Sequence, residues 1–171
     1  ALGTIHLNTT TTLELSKIIN KKGSFLFLSS SELYSGLNNP PFAESLIGTT
    51  NTNHPRSSYI ESKRAGEAIM FALGQTYPDM NASSARLALA YGPGVKPNDS
   101  RVMYELIEMA IKQGRITLRD SGKASRTYCF VSDAIKQCVA IILKGSSDVF
   151  NVGGDSRITI RELAFLIAEI L

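Results

Sequence analysis

The sequence predicts an α/β chain built on a doubly wound parallel sheet. Two observations carry this. Strand-like and helix-like patterns alternate along all 171 residues. The run Phe25-Leu26-Phe27-Leu28 is apolar without alternation and is bounded by Lys21-Lys22-Gly23 and Ser29-Ser30-Ser31. A strand apolar on both faces belongs in a buried parallel sheet.

Each element follows from its pattern. Residues 3–21 carry apolar positions at Ile5, Leu15, Ile18 and Ile19, which suit a helix. Thr9-Thr10-Thr11-Thr12 weakens it, because β-branched residues are mediocre helix formers. After the strand at 25–28, residues 35–58 form a polar loop holding Gly36, Pro40, Pro41, Gly48 and Pro55. Loops of this length inside a domain are usually functional. A helix spans 59–77, a second buried strand 85–90, and an amphipathic helix 101–113. Ile116-Thr117-Leu118 reads as a short strand. Ser132-Asp133 caps a helix to about Leu143. Val149-Phe150-Asn151-Val152 is a strand stopped by Gly153-Gly154. Thr159 caps the last helix, with Glu162 completing a capping box.

Composition narrows the function classes. Hydrophobic residues are 43% and charged residues 19%, with a net charge of +3, which excludes a disordered chain. Lys and Arg are scattered, so nothing marks a nucleic-acid binder. No apolar run approaches the roughly 20 residues of a membrane span. Ala1-Leu2-Gly3-Thr4 lacks the pattern of a signal peptide. Cys129 and Cys138 form neither a disulfide framework nor a metal motif. A soluble, cytoplasmic protein without a metal is expected. Cys129 reads as a small core residue.

In parallel sheets, ligands sit beyond the carboxyl ends of the strands. That directs attention to Ser29–Tyr34, to the segment after Ala90 and to the long loop. Tyr59 and Lys63, spaced i, i+4 at a helix start, lie on one helix face. A lysine ammonium beside a tyrosine favours the phenolate, making a base that neutral water would not give. Ser29, Ser30 and Ser31 offer a hydroxyl aimed at the same substrate oxygen. Together these groups suit proton abstraction coupled to hydride transfer at a sugar or alcohol carbon. Alone, Tyr-x-x-x-Lys is a weak signal and fits an exposed helical pair better than catalysis; its place after a long loop and a serine-ended buried strand reverses that.

The ordered set of motifs resembles the extended short-chain dehydrogenase/reductase family, the NAD-dependent epimerases and dehydratases of nucleotide sugars. The serine-ended strand with Tyr34, the Tyr59/Lys63 pair, Arg86 followed by Tyr91-Gly92-Pro93, the set Gly122, Arg126, Val131 and Asp133, and Asn151-Val152-Gly153 all occur in the family's order. Pro55-Arg56-Ser57-Ser58-Tyr59, Lys63-Arg64-Ala65-Gly66-Glu67, Asn98-Asp99-Ser100-Arg101-Val102 and Ser30-Ser31-Glu32 resemble its UDP-glucuronate decarboxylase-like members. The 4,6-dehydratases carry Asp-Glu where this chain has Ser31-Glu32, and simple 4-epimerases usually lack the Glu.

The resemblance implies a Rossmann-like sheet with a small substrate-binding lobe. Residues 1–95 would be the remainder of the dinucleotide-binding domain. Residues 96–171 would be mainly the lobe, with 149–152 returning as a sheet strand. It implies NAD as cofactor, with NADP left open, and a nucleotide-sugar substrate. Tyr59, Lys63, Ser30 and Glu32 would be catalytic. Tyr59, Lys63 and Arg86 would lie by the cofactor. Ser31, Glu32, Arg101 and Arg126 would bind substrate. The bland readings stand beside these: Glu32 capping a helix-like turn, Arg126 a surface cation, Asp133 an N-cap. A homodimer through helices 3–21 and 59–77 is implied as well. A 4-epimerase or ketoreductase of the same family, and a catalytically silent binding module, fit the same residues.

Two departures mark the chain. Leu89 stands where the family has an Asn that binds the substrate pyrophosphate. The 13 glycines include no G-x-G-x-x-G or G-x-x-G-x-x-G fingerprint for the NAD pyrophosphate. The expectation is therefore a C-terminal part whose adenosine-binding half is absent, inactive by itself.

Overall fold

A computed structural model describes residues 1–96 and 99–171. The helix at the start, α1, is continuous through three segments: Leu2–His6, a π-helical turn Leu7–Thr11, and Thr12–Ile18. The π turn coincides with the threonine run. Thr9 and Thr12 donate their hydroxyls to the carbonyls of Ile5 and Asn8, each four residues back. Such bonds perturb the helix without ending it.

The remaining elements are β1 (Ser24–Ser30), α2 (Ser57–Thr76), β2 (Asn81–Leu87), β3 (Leu89–Tyr91), α3 (Val102–Gln113), β4 (Ser125–Phe130), α4 (Val131–Lys144), β5 (Val149–Val152), β6 (Arg157–Thr159) and α5 (Ile160–Ile170). A 3-10 turn at Ser31–Tyr34 follows β1 directly. The chain divides into two compact units, Ala1–Ala88 with Ser132–Val152, and Leu89–Val131 with Gly153–Leu171. The first unit thus takes back α4 as well as β5, and the chain first leaves it at Ala88.

The first unit holds the parallel sheet, in the order β1-β2-β5. Its core gathers Phe27, Met70, Leu73, Met80 and Ala82, with α2 laid on β1. Contact is closest at Gly66, where a Cβ would stand 2.1 Å from the Phe27 ring. β1 is less enclosed than its apolar run implies: Phe27 is buried, but Leu28 is 49% exposed.

β2 begins four residues earlier than its apolar pattern suggests, because Asn81, Ser83 and Ser84 are buried polar residues. Asn81 and Ser83 bond internally through their side chains. Asn81 Nδ2 donates to the carbonyl of Ile142, Ser83 Oγ to Asn81 Oδ1, and Ser147 Oγ receives the Ala82 amide. A buried strand can be polar when every group finds a partner.

In the second unit β3 pairs in parallel with β4, which pairs antiparallel with β6. Its core is Met103, Leu106, Tyr128, Leu163, Ala164 and Ile167. Two sequence readings are corrected here. Residues 116–118 form no strand: Ile116 and Leu118 pack against the core as irregular chain. Helix α4 starts at Val131, so Asp133 lies within its first turn and pairs with Lys136 instead of capping. The capping box at Thr159 and Glu162 is present in both directions. Cys129 is buried.

Gly66→Ala tests the approach of α2 to β1. In an open helix the change gains about 0.5–1 kcal/mol. Here the overlap with Phe27 reverses the sign, and a loss of about 1–3 kcal/mol is expected in urea unfolding.

Candidate functional site

The site grows from the carboxyl end of β1 and the start of α2. β1 ends on Ser29 and Ser30, and the chain turns at once into the 3-10 turn. Ser30 caps that turn by accepting the Glu32 amide at 3.2 Å. Ser30, not Glu32, is therefore the capping residue, and the Glu32 side chain is left for other work. Ser29 is excluded as the site hydroxyl, since it donates to Glu67 Oε1 at 2.6 Å in the interior.

Tyr59 lies in the first turn of α2 and Lys63 one turn later. The Lys63 ammonium sits 5.9 Å from the Tyr59 ring centroid and 4.9 Å from that of Phe27. It donates to the Leu28 carbonyl at 2.7 Å. Burial pushes its pKa below the ordinary lysine value. Two of its three N–H donors remain for a ligand.

Arg56, which sequence reasoning passed over as a site residue, grips Glu32. Its Nε donates to Glu32 Oε2 at 3.0 Å and its Nη2 to Oε1. Its guanidinium carbon lies 4.7 Å from the Tyr59 ring centroid. The hydrogen bonds to Glu32 raise the pKa of Arg56 above its usual value. The sequence signal was its position, three residues before Tyr59.

Arg86 requires a correction. It was expected beside the cofactor, yet it is 3% exposed and fully engaged in the protein. Nε and Nη2 fork onto the two oxygens of Glu67 at 2.9 and 2.8 Å. Nη1 donates to Tyr34 Oη at 2.9 Å, and to the carbonyls of Glu44 and Leu46. Burial opposes its charge, but Glu67 and Tyr34 outweigh that and raise its pKa. Tyr34 in turn donates to Asn151 Oδ1 on β5 at 2.7 Å. The long loop, residues 35–56, is held on this network. Asn151 donates its backbone amide to the Glu44 carboxylate and its side-chain Nδ2 to the Phe42 carbonyl. The Asn151 amide holds Glu44 below the usual carboxylate range.

The second unit has a separate cavity of about 190 Å³, lined by Leu89, Tyr91, Arg101, Tyr104, Arg126 and Tyr128 among others. Arg101 is forked on Asp99 and donates to the Ala90 carbonyl at 3.0 Å. Asp99 raises its pKa. Asn98, which belongs to the same sequence run, lies outside the described residues. Arg126 is exposed and donates to the Ser125 carbonyl. Tyr128 was not foreseen. It is 8% exposed, and its hydroxyl has no hydrogen-bond partner among the described residues. Burial pushes its pKa up, against the pull of Arg126.

No group of three or more His, Cys, Asp or Glu able to hold a metal, and no helix long and apolar enough to cross a membrane, occurs among the described residues.

The sequence matches the NAD dependent epimerase/dehydratase family over residues 1–153. The chain belongs to that family. Among its relatives is UDP-glucuronic acid decarboxylase 3 of Arabidopsis thaliana, 29% identical over 169 residues, covering 98% of this chain and 49% of that protein. The chain thus spans about half the length of that curated relative. The fold matches dTDP-glucose 4,6-dehydratase from Bacillus anthracis in complex with NAD, with a TM-score of 0.81, 23% identity, and coverage of 97% and 52%. It also matches RMD from Pseudomonas aeruginosa complexed with NADPH, with a TM-score of 0.79, 28% identity, and coverage of 97% and 58%. Membership makes the Rossmann-like assignment of the parallel sheet a statement about this chain, and family members are NAD-dependent.

Two measurements probe the site's framework. Glu67→Gln strands a buried guanidinium and should cost about 3–5 kcal/mol in chemical unfolding. Lys63 has a lowered folded pKa, so below 10.5 the unfolded chain binds its proton more tightly. Stability should therefore gain a component that rises with pH as 10.5 is approached. That component should vanish in Lys63→Met.

Proposed function

We propose that this chain carries the catalytic set of an NAD-dependent enzyme that transiently oxidises C4 of a nucleotide sugar, and that its net reaction is decarboxylation of UDP-glucuronate. The observation that carries the reading is the cluster at the end of β1. Ser30 caps the turn after β1, Lys63 of α2 bonds the Leu28 carbonyl of β1, and Arg56 at the start of α2 grips Glu32 of that turn while lying against the Tyr59 ring.

The residues divide the work. Tyr59 takes the proton of the sugar 4-hydroxyl. Ser30 uses a lone pair on the Glu32 amide, so its hydroxyl proton is free to donate to the same substrate oxygen. The Lys63 ammonium stabilises negative charge as it develops on the Tyr59 oxygen. The donors fit a nicotinamide ribose, because Lys63 is half-buried and keeps two N–H groups unspent. NAD, when bound, supplies the hydride acceptor at C4, with NADP the alternative. The 4-keto sugar acid that results is a β-keto acid and loses CO₂ readily. Glu32, with Ser31 beside it, meets the substrate at the carboxylate or at the proton that replaces it.

Arg101 and Arg126 are assigned to substrate binding, and they line the cavity of the second unit together with Tyr128, whose buried hydroxyl has no hydrogen-bond partner among the described residues. Leu89 makes one wall of that cavity apolar where the family has an amide. Two copies associate through α1 and α2, the helices read from the sequence at 3–21 and 59–77 and formed by Leu2–Ile18 and Ser57–Thr76. Leu2, Leu7, Leu13 and Ile18 on the first and Phe71 on the second leave apolar surface open.

UDP-glucuronate with NAD, given to the complete protein, decides the reaction. Release of CO₂ is the expected outcome. A 4-epimer without CO₂ replaces decarboxylation by epimerisation, and ligand binding without any turnover means a silent module. Tyr59→Phe should lower turnover by at least about 100-fold while NAD affinity stays within about twofold.

A further inference from the structure

Arg56 is fixed at both ends. It precedes α2 directly, and its carbonyl accepts the amides of Tyr59 at 3.1 Å and Ile60 at 3.0 Å. Its own amide donates to His54 Nδ1 at 3.1 Å. The side chain therefore leaves from a rigid point three residues before Tyr59. At the far end, Glu32 is pinned by the Ser30 cap. One edge of the guanidinium forks onto both Glu32 oxygens while the group lies against the Tyr59 ring. Arg56 is the sole hydrogen-bonding partner of the Glu32 carboxylate among the described residues.

As a stabilising device the pair counts for little, since half-exposed ion pairs contribute almost nothing to folding. Its content is directional. A glutamate has three rotatable bonds, and an exposed one samples many positions. The fork fixes the carboxylate relative to the guanidinium, and the guanidinium itself lies 4.7 Å from the Tyr59 ring centroid. Each carboxylate oxygen keeps a lone pair beyond the fork.

We infer that Arg56 is a positioning residue, which holds the Glu32 carboxylate against Tyr59 and so aims it at the substrate. This rests on the reading of Glu32 given above, and deepens it. Arg56 acts through Glu32, and Lys cannot replace it, since an ammonium offers no planar fork.

The test is a double-mutant cycle in the active enzyme, with UDP-glucuronate and NAD. Arg56→Met should lower kcat by about 10–100-fold, the usual effect of misplacing a group by an ångström, with KM changed less than about twofold. Arg56→Lys should recover only part of the loss. Arg56→Met should add nothing to Glu32→Gln, because both remove one device. Multiplying losses, or normal turnover in Arg56→Met beside a crippled Glu32→Gln, overturns the inference alone. Wild-type turnover in Glu32→Gln, or none in the unaltered protein, overturns the functional reading instead. The geometry then stands or falls by NMR. The Arg56 Nε–H signal should exchange slowly, and should broaden or shift in Glu32→Gln. An Arg56 signal indifferent to that change sinks it.

Discussion

The buried ion pair of Glu67 and Arg86 organises the first unit. Glu67 is on α2, two turns beyond Tyr59 and one beyond Lys63, so the face that carries the chemistry is the face that carries the anchor. Glu67 takes Ser29 from β1 and Arg86 from β2, while Arg86 takes two carbonyls of the long loop. Through Tyr34 the same network reaches β5. A buried pair is weak evidence for stability, because desolvation offsets its attraction. Its value here is that it joins three strands, a helix and a loop at one point. The rotation of α2 about its axis, and hence the aim of Tyr59, follows from that junction.

The long loop shows why this matters. Twenty-two residues without regular structure would ordinarily wander. Backbone bonds from Gly48 to Leu33 and from Thr49 to Ser35 fold it back on the 3-10 turn, and Arg64 holds the Gly48 carbonyl. The loop therefore delivers Arg56 to the start of α2 from a defined direction. Order in the loop and order at Glu32 have the same source.

Much of this was legible in the residues. The apolar run at β1, the i, i+4 spacing of Tyr59 and Lys63, and the Thr159–Glu162 box are local patterns, and each has its expected local form. What escaped was decided by tertiary partners. The start of β2 hid because Asn81 and Ser83 look like loop residues until their hydrogen bonds are seen. Ile116–Leu118 looks like a strand, but among the described residues it joins no sheet. Arg86 has the right family position, and only its five hydrogen bonds reveal an interior role. Nothing in the spelling of Tyr128 distinguishes a buried hydroxyl without a partner from an ordinary core tyrosine. Arg56 could have been suspected from its distance to Tyr59, but its partner Glu32 lies 24 positions away in the sequence, across the long loop.

The bond from Lys63 to Leu28 has a further meaning. The Gly23 carbonyl accepts the Asn81 amide, so alternate residues of β1 face β2, while Leu26 and Leu28 turn their backbone groups the other way. Among the described residues that side of β1 has no partner strand. Lys63 reaches the Leu28 carbonyl on that side, so α2 is tied to the backbone of β1 as well as packed against its side chains. A substitution at Lys63 therefore loosens the seat of the helix that carries Tyr59 as well as removing a charge.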